Sequence, residues 1–249
     1  MKVSIIIAVL NSAETLERTI KSIRSQSYKN IEIVFVDNNS NDGSKDIITN
    51  HLNNCDVFIS ERDEGLYDAI NKGIENSTGE LITILHSDNL YAKSTTVATV
   101  VDYFKSLSVD IVYGDMEYFS PKDPEHVVRK YKSGAFSANR LAWGFMPGHP
   151  SMFIKREIYM NYGNYNTYYN ICADYEFLCR IIKKADVKYY YEKNVISRIQ
   201  AGGISNESYK SNFLINKEML SALKANNIYS NYFMLYSKYF IKIFEYFRI

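Results

Sequence analysis

The chain opens on a run of β-branched and apolar residues, Val3 to Val9, with almost no polar position to mark a solvent face. Such a run predicts a strand covered on both sides in a parallel sheet. Asn11, with Glu14 three residues on, reads as a capping box opening a helix that buries Leu16, Ile20 and Ile23. Ile31 to Val36 predicts the next strand, followed by the polar, turn-rich loop Asp37-Asn38-Asn39-Ser40-Asn41-Asp42-Gly43. Three further segments continue the beat: a helix carrying Ile47, Ile48 and Leu52, a short strand at Val57 to Ile59, and an amphipathic helix. That helix places Leu66, Ala69, Ile70, Gly73 and Ile74 on one side, and a fourth strand, Leu81 to Leu85, comes after it. Four strands alternating with three helices predict an α/β fold with a mostly parallel central sheet flanked by helices.

Beyond Leu85 the beat loosens. A helix near Thr95 to Phe104 and a strand at Asp110 to Tyr113 are followed by mixed loops and short strands through Gly114-Asp115, Val127 to Lys132 and Trp143 to Pro150. A helix starting near Asp174 buries Phe177, Leu178, Ile181 and Ile182. The pattern divides the chain into a regular half over 1–113, a smaller shaping half of the same domain over 114–206, and an aromatic-rich helical extension over 207–249.

Composition narrows the class. The 249 residues are 46% hydrophobic and 23% charged with a formal charge of +1, which excludes a disordered chain and leaves no global basic excess for nucleic acid. The N-terminus lacks the apolar core of a signal peptide, and no run approaches the length of a membrane span, so a cytoplasmic protein is expected. Cys55, Cys172 and Cys179 match no metal spacing and are expected to be small buried side chains in a reducing compartment.

Polar residues collect where the predicted strands end: Asn11, Asp37, Glu61 with Asp63, and Asp88. Parallel topology brings these ends to one rim, the place where open α/β sheets bind ligands. Neither a Gly-x-Gly-x-x-Gly turn after the first strand nor a Walker-type loop is present. A rim of carboxylates would repel a bare diphosphate, yet it suits one bridged by Mg2+ or Mn2+, which takes one or two carboxylates and completes its shell with phosphate oxygens.

Five segments in order carry a family resemblance. They are Val3-Ser4-Ile5-Ile6-Ile7-Ala8-Val9-Leu10-Asn11, Val36 to Ser44, Ser60-Glu61-Arg62-Asp63-Glu64-Gly65-Leu66-Tyr67-Asp68-Ala69-Ile70-Asn71-Lys72-Gly73, His86-Ser87-Asp88, and Ala173-Asp174-Tyr175-Glu176. Over roughly residues 3 to 206 the chain resembles the family 2 glycosyltransferases of GT-A fold that build bacterial O-antigens, capsules and exopolysaccharides. The resemblance implies an inverting transfer of a hexose or N-acetylhexosamine from a UDP-sugar to a saccharide acceptor carried on a polyprenyl diphosphate. It makes 1–113 the nucleotide-sugar half and 114–206 the acceptor-binding and catalytic half. By position, Val9, Asn11 and Asp37 meet the nucleoside, and Asp63 is a second nucleoside contact. Asp88 is the metal ligand of an Asp-x-Asp motif whose first place is His86, with Ser87 between. Lys72 supplies positive charge near the phosphates, and Asp174 is the general base.

Other positions stay open between readings. Glu176 is a lesser candidate base, two residues from Asp174 and on another helix face; both can also serve as N-terminal carboxylates of their helix. His149, between Pro147-Gly148 and Pro150, reads as an exposed turn residue that either contacts donor phosphate, metal or acceptor, or is structural. Asp115 and Trp143 can meet a sugar, or merely pack. Arg198 to Ser205, with paired glycines, reads as a mobile segment that closes over the nucleotide.

The extension carries Tyr229, Tyr232, Phe233, Tyr236, Tyr239, Phe240, Phe244, Tyr246 and Phe247. On a helix most of them form an apolar stripe with Lys238, Lys242, Glu245 and Arg248 off it, which suits peripheral contact at the cytoplasmic face of the inner membrane, a homo-oligomer interface, or self-packing. Two other functions compete with transfer. A sugar nucleotidyltransferase would want a Gly- and basic-rich loop where Asn11-Ser12-Ala13-Glu14 stands, and a non-catalytic sugar-nucleotide-binding scaffold would not need Asp37, Asp88 and Asp174 together.

Overall fold

The computed structural model describes residues 1–184, 186–202 and 209–243, with side chains left aside at 209–211 and 240–243. Its first part is the predicted alternation: β1 (Val3–Val9), α1 (Ala13–Arg24), β2 (Ile31–Asp37), α2 (Ser44–His51), β3 (Val57–Ser60), α3 (Leu66–Asn76) and β4 (Leu81–Ile84). β1 pairs in parallel with β2 and β4, and β2 with β3. Alternate residues of these strands feed two cores. Ile6, Val34, Val36, Ile82 and Ile84 pack under α3, whereas Ile5, Ile7, Ile33, Phe35 and Leu81 pack under α1. Leu16, Ile20 and Ile23 of α1 are fully buried there, each contributing about 1.5–3 kcal/mol of transfer free energy.

The second part extends the same sheet. β5 (Leu90–Tyr91), α4 (Thr96–Leu107), β6 (Ile111–Ser120), β7 (Asp123–Tyr131), α5 (Ala138–Ala142), β8 (Met152–Lys155), α6 (Arg156–Tyr162), α7 (Ala173–Ile181) and β9 (Tyr189–Gln200) follow in order. The sheet runs β3-β2-β1-β4-β8-β6-β9-β5, with β7 paired to β6. β6 straddles the boundary drawn at residue 113, so both halves share one continuous sheet. Helices α8 (Tyr209–Ala225) and α9 (Tyr232–Ile243) close the described chain.

Several local expectations are corrected. The capping box does not form: Asn11 takes φ 47° and its Oδ1 accepts the Asn41 N–H at 3.0 Å. The start of α1 is capped from across the rim instead, where Asp42 accepts the Ala13 N–H at 2.9 Å. Leu52 and Leu66 are 37% and 45% exposed, while Tyr67 takes the buried place on α3. Cys55 is exposed, unlike Cys172 and Cys179. β6 continues seven residues beyond Tyr113, to Ser120, passing through a bulge against β9 at Gly114-Asp115 where mixed loops and short strands were expected. Arg198 to Gln200 belong to β9, where Arg198 is tied to Glu117 at 2.9 Å; residues 203–205 of the expected mobile segment lie outside the described residues.

Candidate active site

The C-terminal ends of β1, β2, β3 and β4 meet at one rim, and hydrogen bonds sew their loops together. The Val9 carbonyl accepts the Asn38 N–H at 2.9 Å, and the Asn11 N–H donates to Ser40 Oγ at 2.9 Å. Ser87 Oγ donates to Ser12 Oγ at 2.8 Å, which joins the ends of β1 and β4. Asp37 is fully buried and accepts from the Ser40 N–H at 3.1 Å and from Ser60 Oγ at 2.8 Å, with Lys45 Nζ at 3.9 Å. Its position is therefore set before any ligand arrives.

Asp63 is only half satisfied. Asn38 Oδ1 accepts its N–H at 2.9 Å, and its Oδ1 meets Lys72 Nζ at 2.7 Å, but its buried Oδ2 has no partner among the described residues. Burial raises its pKa above the ordinary aspartate value, outweighing the lowering by Lys72. An unpartnered buried oxygen is costly, and it points to a donor brought by a ligand. Lys72 is held by three carboxylates, Asp63 at 2.7 Å, Glu61 at 2.8 Å and Asp68 at 3.2 Å, which together raise its pKa. Its charge is neutralised within this acidic cluster.

Asp88 stands half-buried beyond β4 and takes no hydrogen bond or ion pair from the described residues. Beside it, burial lowers the pKa of His86 despite the pull of the Asp88 charge, so the imidazole is neutral. The His149 ring lies 6.3 Å away. His149 is not on an exposed turn: it is buried in a 3-10 turn over His149–Ser151, its Nε2 is 2.8 Å from the Tyr165 hydroxyl, and burial lowers its pKa to about 3. That turn packs against β4, β6 and β9.

Asp174 opens α7 and is tied to the rim through α3. The Tyr67 hydroxyl lies 3.0 Å from Asp174 Oδ1 and 2.7 Å from the Ile171 carbonyl, and the Tyr175 N–H donates to the same Oδ1 at 2.8 Å. Burial pushes the Asp174 carboxyl up to about 6 against those two hydrogen bonds, which favour its charged form. Glu176 is committed elsewhere, paired with Arg180 at 3.1 Å and accepting from Asn226 Nδ2 at 3.3 Å. The ring of Tyr165 lies 5.7 Å from that of Tyr67 and 5.4 Å from that of His149, so aromatic contacts bridge the Asp174 and Asp88 sides.

Two other candidates are now placed. Asp115 is buried inside the β6 bulge, accepting from Ser133 N–H at 2.9 Å and from the Tyr191 hydroxyl at 2.6 Å. Trp143 lines a shallow cavity of about 300 Å3 with Asn139, Arg140 and Phe145. Sequence reasoning missed Tyr67, Tyr165 and Glu218. Tyr67 was in view inside the third family segment, but its hydroxyl partner lies 107 positions away.

No group of three or more His, Cys, Asp or Glu side chains able to hold a metal ion occurs among the described residues. One half-buried, unpartnered carboxylate does fit a Mg2+ or Mn2+ ion that draws most of its oxygen ligands from a bound phosphate and water. The model of the family described as Glycosyl transferase family 2 matches residues 4–190. A PGL/p-HBAD biosynthesis glycosyltransferase of Mycobacterium bovis (strain BCG / Pasteur 1173P2) is 31% identical over 219 residues, spanning 85% of this chain and 82% of the relative. Among solved structures, Staphylococcus aureus TarS 1–349 in complex with UDP-GlcNAc superposes with a TM-score of 0.68 at 16% identity, covering 88% of this chain and 67% of that one. The longer TarS chain is matched over 40% of its length. The mannosyltransferase PcManGT of Pyrobaculum calidifontis, in complex with GDP-Man and Mn2+, gives 0.66 at 19% identity over 92% of this chain and 65% of that one. These structural likenesses show the GT-A fold.

Proposed function

The chain belongs to glycosyltransferase family 2, and from that premise we propose that it is an inverting, metal-dependent transferase using a UDP-sugar. Its donor is a UDP-hexose or UDP-N-acetylhexosamine, and its acceptor a saccharide on a polyprenyl diphosphate in bacterial surface polysaccharide synthesis. One observation carries the reading: Asp37, Asp63 and Asp88 lie at the ends of neighbouring parallel strands, and Tyr67 ties Asp174 to the same rim.

In this reading Asp37, with Val9 and Asn11 beside it, receives the nucleoside, and the unpartnered Asp63 Oδ2 accepts a base or ribose hydrogen. His86 and Ser87 wall the diphosphate. Lys72, expected from sequence to supply positive charge near the phosphates, is engaged by Asp63, Glu61 and Asp68 and is not free to pair with them. Asp88 is the protein's own cation ligand, and His149 can join it only through Nδ1, since Nε2 is engaged by Tyr165. A divalent cation, when bound, offsets the charge growing on the departing diphosphate.

Asp174 takes the proton from the acceptor hydroxyl as that oxygen attacks the anomeric carbon. The bond from that carbon to the diphosphate breaks on the opposite face, which inverts the centre. The cavity beside Trp143 offers the acceptor sugar an aromatic face and planar donors from Arg140 and Asn139.

The test is UDP release from a panel of UDP-sugars, with and without Mn2+, using a lipid-linked saccharide acceptor. Metal-dependent release with at least one donor is expected, and Asp88→Asn should lower it roughly a hundredfold or more. Unchanged turnover by that variant would remove the metal assignment.

A further inference from the structure

The match to the family ends at residue 190, yet a carboxylate from beyond it grips the loop that presents Asp174. Glu218, buried on α8, accepts three successive backbone N–H groups: Asn170 and Ile171 at 3.0 Å, and Cys172 at 2.9 Å. Cys172 is the residue from which α7 starts. On the other side of the same loop, the Tyr67 hydroxyl faces the Ile171 carbonyl and the Asp174 carboxylate. We propose that Glu218 is a positioning residue for the transfer reaction: opposite Tyr67, it fixes the 170–172 backbone so that Asp174 meets the acceptor hydroxyl. This rests on Asp174 being the general base.

Three charge-assisted hydrogen bonds to consecutive amides leave that backbone little freedom, and a base displaced by an ångström loses its alignment with the hydroxyl. The carboxylate also acts on the base electrostatically. It brings a negative charge toward Asp174 and so raises the pKa of the base, while the Tyr67 hydrogen bond lowers it. The two grips thus act in opposite directions on one proton. The other titratable or charged groups around Asp174 are Tyr165 after α6, Cys172 before it, Glu176 and Arg180 paired on its own helix, and Lys238 from α9, near Cys172.

The experiment measures steady-state kinetics against pH for the full chain and for Glu218→Gln, Glu218→Asp, Tyr67→Phe and Asp174→Asn, with UDP affinity as a second readout. Glu218→Gln should lower kcat on the order of tenfold with UDP affinity and donor KM unchanged. Its acidic limb of kcat/KM should move down by roughly half a unit, whereas Tyr67→Phe should move it up. Glu218→Asp, which keeps the charge, should leave the limb where it is. A Glu218→Gln protein with a lower Tm but wild-type kcat and limb would overturn the proposal. If Glu218→Gln does not fold, a Tyr67→Phe protein with an unmoved limb and wild-type kcat overturns it from the other side. Wild-type turnover by Asp174→Asn would instead overturn the parent assignment of the base, whatever Glu218 does.

Discussion

A carboxylate that takes a proton from a hydroxyl gains from being desolvated, because burial makes it a stronger base, but the same burial weakens the fold around it. For the Asp174 carboxyl, pushed up to about 6, both effects follow if it is the proposed base. Its folded-state value lies above the ordinary aspartate value, so the folded protein holds this proton more tightly than the unfolded chain does. The stability it contributes is full below about pH 4 and is lost as pH rises through about 6. Near pH 7.5 the ionised group therefore costs the fold about 2–3 kcal/mol as an upper figure. Asp174→Asn should abolish turnover while raising Tm at pH 7.5 by a few degrees, on the scale of about 2–4 °C per kcal/mol for a domain this size, with no gain near pH 4. In the unmodified enzyme, kcat/KM should fall about tenfold per pH unit below about 6. Thermal melts and pH profiles check both, and a Tm gain that persists unchanged at pH 4 would contradict the titration argument. The proposed role of Asp174 came from its place inside the family segment Ala173-Asp174-Tyr175-Glu176, since an acidic residue opening a helix can equally be a cap. Glu218 was not legible in sequence, since its role is to accept backbone N–H groups that carry no sequence signature. His149 misled because prolines around it predict a turn but not whether that turn faces solvent or the core.

At the scale of elements, the first half was legible because β1, β2 and β4 are buried on both faces and each helix on one. Hydrophobic period alone therefore separates them. The second half was not: β7 is exposed along much of its length, and β9 opens on three consecutive tyrosines and then mixes charged, polar and apolar residues, with Arg198 paired to Glu117 across the sheet. The fit between α3 and β1 supplies a prediction that pattern alone could not. A Cβ on Gly73 would stand 2.4 Å from Cγ2 of the fully buried Ile6, so α3 crosses β1 with no room for a methyl group. Alanine is the better helix former by about 1 kcal/mol, but overpacking typically costs about 1–3 kcal/mol, and here the obstructing atom is on a branched, immobile side chain. Gly73→Ala should lower denaturant stability by about 1–2 kcal/mol. Because α3 carries Tyr67 and Lys72, it should also weaken turnover. In a double-mutant cycle with Ile6→Ala the penalty should shrink, and strict additivity would show that the cause lies outside this contact.

For the whole molecule, the decisive question is what the C-terminal extension adds to a family domain that ends before it. Two of its parts face inward: Glu218 accepts the backbone N–H groups of Asn170, Ile171 and Cys172 before α7, and on α9 Leu235 is fully buried, while Lys238 lies 3.0 Å from Met219 Sδ at Nζ. Ser230 Oγ donates to the Ala142 carbonyl at 2.6 Å, tying the start of α9 to α5 beside the Trp143 cavity. The expected aromatic stripe is turned the other way, with Tyr229 and Phe233 80% and 78% exposed and Tyr232 and Tyr236 partly so. Phe244 and Phe247 of that stripe lie outside the described residues, as do the side chains of Phe240 and Ile243. No helix among the described residues is long and apolar enough to cross a membrane. A helix fastened to the body by one face, with aromatics on the other, suits a flat apolar or amphipathic surface, and if the acceptor is lipid-linked as proposed, a membrane is the surface to test. Deleting the extension is a poor test, since it would uncover Leu235 and free the start of α9. Tyr229→Glu with Phe233→Glu removes two exposed rings and adds charge opposed to anionic lipid without touching the core. The double variant should keep its Tm and UDP affinity. It should lose roughly tenfold or more in binding to anionic liposomes, since each inserted ring contributes on the order of 1 kcal/mol or more. Equal liposome binding by the variant and the unmodified chain would reject the membrane role, and a concentration-dependent dimer of the unmodified chain that the variant dissolves would assign the face to a second subunit instead.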